Sequence, residues 1–205
     1  MLPILAFDTS AAHCAAALLL PTPLNTCRVI QRLEPMEKGQ AERLIPLLEE
    51  VLAEGRIGWS DLKALAVGTG PGNFTGVRIS VAAARGLALG LGVPAIGVTR
   101  LEALAFGLPR PVMVVEDARR DQVYVQLFTE SGAGVAHLAD RVVPACPATG
   151  SAAGDGALAP AMPLVEAIAR IGAARAATPQ PRPAPFYLRG ADAAPPSDPP
   201  AVILP

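Results

Sequence analysis

A buried strand that leads into a glycine-rich loop and then into a helix is the feature that most limits how this chain can fold. Residues 64–67 are all apolar, and the nine residues that follow, 68–76, contain four glycines. We predict a helix from Gly76 to about Leu91, with Thr75 as its N-cap. These elements, in this order, are typical of an α/β fold and form a concavity that can accept an anion.

The loop matches neither of the two best-known phosphate-binding motifs. No lysine follows a glycine as it does in a Walker loop, and Gly68-x-Gly70 is followed by Asn73 where the dinucleotide fingerprint has glycine. Two interpretations stay open, an anion-binding loop and a tight packing turn.

Two strand–turn–strand units with an acidic turn suggest that the chain has two lobes of similar topology. Asp8-Thr9-Ser10 forms the first turn and residues 116–121 form the second. We predict a hinge near Gly107, an N-terminal lobe over residues 1–106 and a reduced C-terminal lobe over residues 107–205. The four strands are predicted at Leu2–Phe7, His13–Leu20, Pro111–Val115 and Val123–Phe128.

The remaining pattern predicts helices, two further strands and a proline-rich tail. The spacing of Leu44, Leu48 and Val51 indicates an amphipathic helix, and Thr99 with Glu102 matches a capping box. Nine prolines in the last 28 residues favour an extended, partly mobile tail anchored at Phe186–Leu188. The other elements are predicted at Arg28–Leu33, Gln40–Glu54, Pro94–Val98 and Met162–Ile171.

Composition narrows the possible functions. Seventeen Lys and Arg against eighteen Asp and Glu give a formal charge of -1, which provides little electrostatic attraction for a nucleic acid. Three cysteines without ligand-like spacing, and two histidines without an HxxxH or HExxH pair, predict no metal site and a reducing cytoplasm. No apolar run reaches the roughly 20 residues of a membrane span, so we expect a cytoplasmic protein that does not contact a membrane.

Asp8 and Thr9 follow the first strand, where a carboxylate can hold hydrated magnesium while hydroxyls and backbone N–H groups approach a phosphate. The simpler interpretation is a hairpin turn whose side chains bond their own backbone. Asp8 has no Lys or Arg close in sequence, so we predict a vestigial phosphate site and no catalytic residue.

Three segments closely resemble the TsaB family, also called YeaZ, of bacterial subunits for tRNA threonylcarbamoyladenosine biosynthesis. They are Leu5–Ser10, Ala41–Pro46 and Gly70–Ile79, and residues 117–124 and 186–189 also fit the family. The most specific segment is the glycine-rich loop with the residues Gly70, Pro71, Gly72, Phe74, Thr75, Gly76 and Arg78. Gln40 departs from the usual His of the family, and Asn73 from the common Ser.

The resemblance implies a two-lobed ASKHA fold, which is actin-like with RNase H-like lobes, and a noncatalytic role without a cofactor. It implies a TsaD-like catalytic partner that transfers threonylcarbamoyl to adenosine 37 of tRNAs reading ANN codons, and a TsaE-like ATPase. The tRNA would be met only through the complex, and the chain alone could form a homodimer. Two alternatives are an ATP-dependent phosphotransferase or ATPase, with Gly150–Gly156 as its second phosphate loop, and a glycoprotein peptidase, which would need a metal site.

We expect the partner to bind two helices beside the glycine-rich loop, over residues 40–54 and 76–91. The alternative for each apolar residue there is a place in the core of its own lobe. The candidate interface residues are Leu44, Ile45, Leu48, Ile79, Ala82 and Ala83.

Overall fold

The computed structural model describes residues 2–23 and 26–189. The first lobe is built on a five-stranded sheet with the strand order β3-β2-β1-β4-β5. Strands β1 to β3 form an antiparallel meander, and β4 and β5 run parallel to β1. The strands are β1 (Ile4–Asp8), β2 (His13–Pro21), β3 (Cys27–Pro35), β4 (Ala64–Gly68) and β5 (Ala95–Val98).

Helices cover both faces of this sheet, because the strand side chains that alternate between the two faces are apolar on each. Leu5, Phe7 and Leu18 pack on one face against helices α1 (Gln40–Gly55) and α2 (Phe74–Leu91). Ile4 and Ala6 point to the other face and pack against helix α4 (Leu164–Arg175). Each face of the sheet therefore carries a closed apolar core.

Helix α4 returns to the first lobe from the C-terminal half of the sequence. It packs on β1, β2 and β4, and a Cβ at Gly172 would overlap the Cβ of Ala66. The predicted division at Gly107 separates the two sheets. The residues after Gly107 do not all belong to the second lobe, however, because residues 164–175 complete the core of the N-terminal lobe.

The second lobe is a smaller sheet with the order β10-β6-β7-β8, and β9 also pairs with β7. One face packs against the short helix α3 (Arg100–Ala105) through Val112, Val114 and Phe128. The other face is covered only by a small apolar cluster that includes Ala148 and Ala153. Its strands are β6 (Val112–Asp117), β7 (Gln122–Thr129), β8 (Gly132–Ala133), β9 (His137–Asp140) and β10 (Ala148–Thr149).

The structure corrects one predicted helix start and extends a second helix. Helix α2 begins two residues earlier than predicted, and its N-cap is Asn73, whose Oδ1 accepts from the N–H of Gly76 at 3.0 Å; the prediction of Thr75 is wrong. Thr99 caps α3 as predicted, since its Oγ1 accepts from Glu102 N–H. Helix α4 continues four residues beyond the predicted end at Ile171. The predicted tail beyond residue 189 lies outside the described residues.

Among the described residues, α2 is one helix whose length and composition alone would suffice to cross a membrane. It packs against β4, β5, β1 and α1 of the first lobe.

Candidate functional site

An open cavity of about 990 Å³, here called the interlobe cleft, lies between the two lobes. The first lobe contributes the Asp8-Thr9-Ser10 turn and the glycine-rich loop to its surroundings, and the second lobe contributes the turn between β6 and β7. A C-terminal segment also borders it. The cleft is lined by residues that include Ser10, Lys38, Gln40, Pro71, Gly72, Asn73, Phe74, Thr75, Arg100, Glu116, Asp117, Arg119, Tyr124, Phe186, Tyr187 and Arg189.

The polar groups of Asp8 and Thr9 are engaged inside the first lobe. Asp8 is 1% exposed, and its Oδ2 accepts from Ser10 Oγ at 2.9 Å, from His13 Nε2 at 2.8 Å and from Ser10 N–H at 3.3 Å. Thr9 is fully buried and donates its hydroxyl to the carbonyl of Gly76 at 2.6 Å. Of the three turn residues, Ser10 lines the cleft.

The glycine-rich loop lies directly on this turn. A Cβ at Gly76 would overlap the carbonyl oxygen of Thr9, and a Cβ at Gly68 would overlap the carboxylate of Asp8. Asn73 N–H donates to the carbonyl of Ser10 at 2.6 Å. Glycine is needed at both positions because a side chain would collide with the Thr9 backbone at Gly76 and with the Asp8 carboxylate at Gly68.

The second lobe has a matching turn that faces the solvent. Asp117 Oδ1 accepts a hydrogen bond from Arg119 N–H at 2.9 Å. Asp8 likewise accepts from the N–H two residues further along the chain, that of Ser10. Arg119, Arg120 and Asp121 have φ values of 61°, 54° and 58°, in the left-handed region that costs most residues about 1 kcal/mol or more each.

Glu116 is a buried carboxylate in the wall of the cleft. It is 6% exposed and accepts from Arg100 Nε at 2.6 Å and from Ser151 N–H at 2.7 Å. Ser151 belongs to the segment Gly150–Gly156 that we considered as a second phosphate loop. Its backbone donor is thus directed at a carboxylate of the protein itself.

The C-terminal segment Pro183–Arg189, here called the strap, connects both lobes beside the cleft. Phe186 N–H donates to Thr69 O at 2.8 Å on the first lobe, and Arg189 donates to Gln122 Oε1 at 2.6 Å on the second. Tyr187 stacks on Phe74 with 5.0 Å between ring centroids. The predicted anchor at Phe186–Leu188 is therefore confirmed.

Arg78 joins the strap to helix α2. Its Nε donates to the hydroxyl of Tyr187 at 3.0 Å, and its guanidinium lies 3.7 Å from the centre of the Phe74 ring. The spacing of Phe74 and Arg78 on one helix could have suggested their contact, but the sequence carries no signal that brings in Tyr187.

The remaining residues of the glycine-rich loop fall into two groups. Pro71, Gly72, Phe74 and Thr75 line the cleft. Gly70 and Gly76 are buried and hold the loop to its neighbours, and the bond from Gly70 to Pro71 is cis.

Four of the six candidate interface residues retain an accessible surface. Ile45 is 38% exposed, Ala82 is exposed, and Ile79 and Ala83 are half-buried. Leu44 and Leu48 are 1% and 0% exposed in the core between the sheet and α1. The prediction that these two contact a partner is wrong, because they face their own lobe.

No group of three or more His, Cys, Asp or Glu side chains that could hold a metal lies within residues 2–23 and 26–189. His13 is the partner of Asp8. Gln40 donates to Met36 O at 3.1 Å, so it makes a local contact next to the start of α1.

The model of one protein family matches this chain. It is the TsaD model, described as tRNA N6-adenosine threonylcarbamoyltransferase, and it matches residues 34–195. Because the match covers more than half of the sequence, the chain belongs to the family that this model describes.

Individual relatives place the chain more narrowly. The tRNA threonylcarbamoyladenosine biosynthesis protein TsaB of Escherichia coli is 36% identical over 139 residues, which are 65% of this chain and 58% of that protein. TsaB of Bacillus subtilis is 34% identical over 147 residues, with 69% and 59% covered. The chain spans a little over half of the length of these relatives.

The fold of one solved structure is similar to that of this chain over nearly its whole length. YeaZ from Pseudomonas aeruginosa superposes with a TM-score of 0.73 at 28% identity and covers 92% of this chain and 100% of that one. The fold is therefore the two-lobed ASKHA fold, and within the family the chain is of the TsaB/YeaZ kind.

Proposed function

We propose that this chain is a noncatalytic dimerisation and scaffold subunit of the complex that forms N6-threonylcarbamoyladenosine at position 37 of tRNAs reading ANN codons. In this proposal it activates a TsaD-like catalytic subunit. The TsaB relatives, whose name refers to the biosynthesis of this nucleoside, support the reaction.

The observation that carries the proposal is the exposed apolar surface of α2. Only 28% of this 18-residue helix is buried, although its composition is strongly apolar. Leu89 is 86% exposed, and Ala82 and Gly86 are exposed on the same helix. Exposed apolar surface of this kind marks protein interfaces.

The noncatalytic part of the proposal rests on the use of the polar groups near the cleft. Asp8, Thr9 and Glu116 are buried, and each is hydrogen-bonded to protein groups. A carboxylate that turns its oxygens to internal donors stabilises the local fold and has fewer lone pairs left for magnesium. The same residues would have to be exposed to ligand in an active phosphotransferase.

The partners follow from this role. A TsaD-like paralogue is the catalytic subunit, and a TsaE-like ATPase is a third component. The same α2 surface would serve a homodimer of the isolated chain, so homodimer and heterodimer exclude each other.

The proposal is tested by measuring the affinity of two variants in which an exposed alanine is replaced by glutamate. A glutamate at Ala82 places a larger, charged side chain on the exposed face of α2, on surface that a partner helix would have to cover, so A82E should abolish binding to the TsaD-like subunit from the same cell. Ala174 is exposed on α4, on another helix of the same lobe, and A174E is the matched control that should bind as wild type does. Binding of A82E with unchanged affinity would contradict the proposal.

We infer that this chain contacts tRNA only as part of the complex. The chain has a formal charge of -1 and 4% aromatic residues, so it offers little attraction for phosphates and few stacking surfaces. In a filter-binding assay at physiological salt, the chain alone should show no submicromolar affinity for tRNA. Submicromolar binding by the purified chain would refute this part.

A further inference from the structure

A second cavity, of about 400 Å³, opens on the exposed side of α2 and is here called the α2 pocket. Arg78 and Arg85 lie at its rim, and its apolar lining comes from Val81, Ala82 and Pro185. Arg78, Ala82 and Arg85 share one face of the helix, because they are four and three residues apart. The pocket thus combines two guanidinium groups with an apolar floor.

Neither arginine is neutralised within residues 2–23 and 26–189. Arg85 has no hydrogen bond or ion pair there, and Arg78 contacts only the hydroxyl of Tyr187 and two aromatic rings. Helix α2 contains no Asp or Glu. The rim of the pocket therefore carries two positive charges without a carboxylate.

The neighbouring helix α1 is rich in glutamate, and most of its charged side chains already form ion pairs within the chain. Arg43 binds both Glu34 and Glu50, and Arg32 binds Glu54. Glu34, Glu50 and Glu54 are thus paired inside the chain, whereas the arginines of the α2 pocket are left for a group from outside.

We propose that the α2 pocket receives a glutamate side chain from a helix of the TsaD-like catalytic subunit. A glutamate fits because its methylene groups can lie on the apolar floor while its carboxylate accepts from guanidinium donors. Ala82 and the exposed Gly86 on the same helix allow another helix to approach closely. This inference rests on the proposed function and names the chemistry by which the partner is recognised.

The strap takes part in this recognition. Pro185 forms one wall of the pocket, and Tyr187 holds the side chain of Arg78 by a hydrogen bond. Tyr187 is thus a positioning residue for Arg78. Y187F keeps the ring on Phe74 and removes only the bond to Arg78 Nε.

The test measures the dissociation constant between the intact chain and the TsaD-like subunit by titration calorimetry at two salt concentrations. R85E should raise the dissociation constant about 30-fold or more, equivalent to about 2 kcal/mol, and should reduce its salt dependence. Y187F should raise it about threefold. R28E is the matched control, because Arg28 is exposed on β3 and has no ion pair among the described residues; it should bind within twofold of wild type.

Charge-reversal variants of the partner identify the glutamate that occupies the α2 pocket. Each exposed glutamate of the partner's interface helices is changed to arginine, and one of these variants should bind R85E more tightly than it binds wild type. R85E that binds within threefold of wild type would overturn the inference. The inference would also be overturned if R85E lost self-association but kept its affinity for the partner, since the pocket would then be occupied by a second copy of this chain.

The two proposals fail in different ways. Wild-type chain that does not bind the TsaD-like subunit at all would overturn the proposed function and this inference together. Wild-type chain that binds, with R85E unaffected, would overturn this inference alone.

Discussion

The two lobes share a hairpin with an aspartate at the end of its first strand, yet they differ in how well that hairpin is covered. The first sheet has helices on both faces, and the turn of Asp8 is buried under the glycine-rich loop. The second sheet has one short helix on one face, and the turn of Asp117 is exposed. One topology thus supports a closed lobe and an open one.

The difference in cover is one reason why we propose that a partner binds to α2. The first lobe is closed by α4, which comes from the other half of the sequence, so α2 is free to present its outer face without loss of the core. The second lobe lacks a helix on one face of its sheet, and Leu127 on the central strand β7 is 37% exposed. We expect stability to come mainly from the first lobe.

The largest effect is expected where the glycine-rich loop touches the Asp8 turn. G76A places a methyl group against the carbonyl of Thr9, and a backbone oxygen cannot rotate away, so the free energy of unfolding should fall by about 4 kcal/mol. Denaturant unfolding measures this change.

The control for that variant lies ten residues further along the same helix. Gly86 has open space around a Cβ, so G86A should raise the free energy of unfolding by about 0.5 to 1 kcal/mol. Equal effects of G76A and G86A would show that the loop and the turn are not in contact.

A matched pair of leucine truncations compares the two sheets. Leu48 is fully buried against the first sheet, so L48A should lower the free energy of unfolding by about 3 kcal/mol. Leu127 lies on the face of the second sheet that no helix covers and is 37% exposed, so L127A should lower it by less than about 1 kcal/mol. A larger loss for L127A would mean that the second lobe is covered as well as the first.

Much of the fold could be predicted from local sequence patterns. Short apolar segments on either side of the turns at residues 8–10 and 116–121 predicted both hairpins, and the spacing of Leu44, Leu48 and Val51 predicted α1. An apolar stripe on a helix does not say what covers it, however. For that reason Leu44 and Leu48 were wrongly expected at an interface.

The sequence could not predict contacts between distant segments. The periodicity near Ile171 indicated a helix, but nothing in it showed that this helix packs on β1 and β4. The contact of Arg78 with Tyr187 joins residues 109 positions apart. At the start of α2, both Asn73 and Thr75 are good N-cap residues, and the choice of Asn73 follows the close packing of Gly76 on Thr9.

The two aspartates should differ when each is changed to asparagine. Asp8 accepts three hydrogen bonds in a buried site, so D8N should lower the free energy of unfolding by about 1.5 kcal/mol. D117N at the exposed turn should lower it by less than about 0.5 kcal/mol.

The D8N variant also separates a structural role from a chemical one. We expect D8N to fold, to bind its partner and to lose little of the tRNA-modifying activity of the reconstituted complex. A loss of about a hundredfold, equivalent to about 2.7 kcal/mol of barrier, with assembly intact, would give Asp8 a chemical role.

The smallest effect concerns Cys14, which is buried in the first lobe. Burial raises the pKa of the Cys14 thiol from its ordinary value of 9.0 to about 11, with a smaller contribution from Glu34. The unfolded chain therefore loses this proton first as the pH rises, so the contribution of Cys14 to stability is constant below pH 9 and falls between pH 9 and pH 11. At about pH 9.5, wild type should have lost about 0.8 kcal/mol more, relative to neutral pH, than C14A has lost.

Denaturant unfolding of both proteins at neutral pH and at about pH 9.5 measures this difference. If C14A lost as much stability as wild type between the two pH values, Cys14 would not titrate as its buried position requires.

The central claim is that this chain acts through the exposed surface of α2 and contributes no catalytic group. Its most direct test is the rate at which the TsaD-like and TsaE-like subunits, with ATP and the threonylcarbamoyl adenylate substrate system, modify tRNA when wild-type chain, D8N or A82E is added. We predict full activity with wild type, near-full activity with D8N and none with A82E, although A82E remains folded. Full activity with A82E, or without any added chain, would contradict the account.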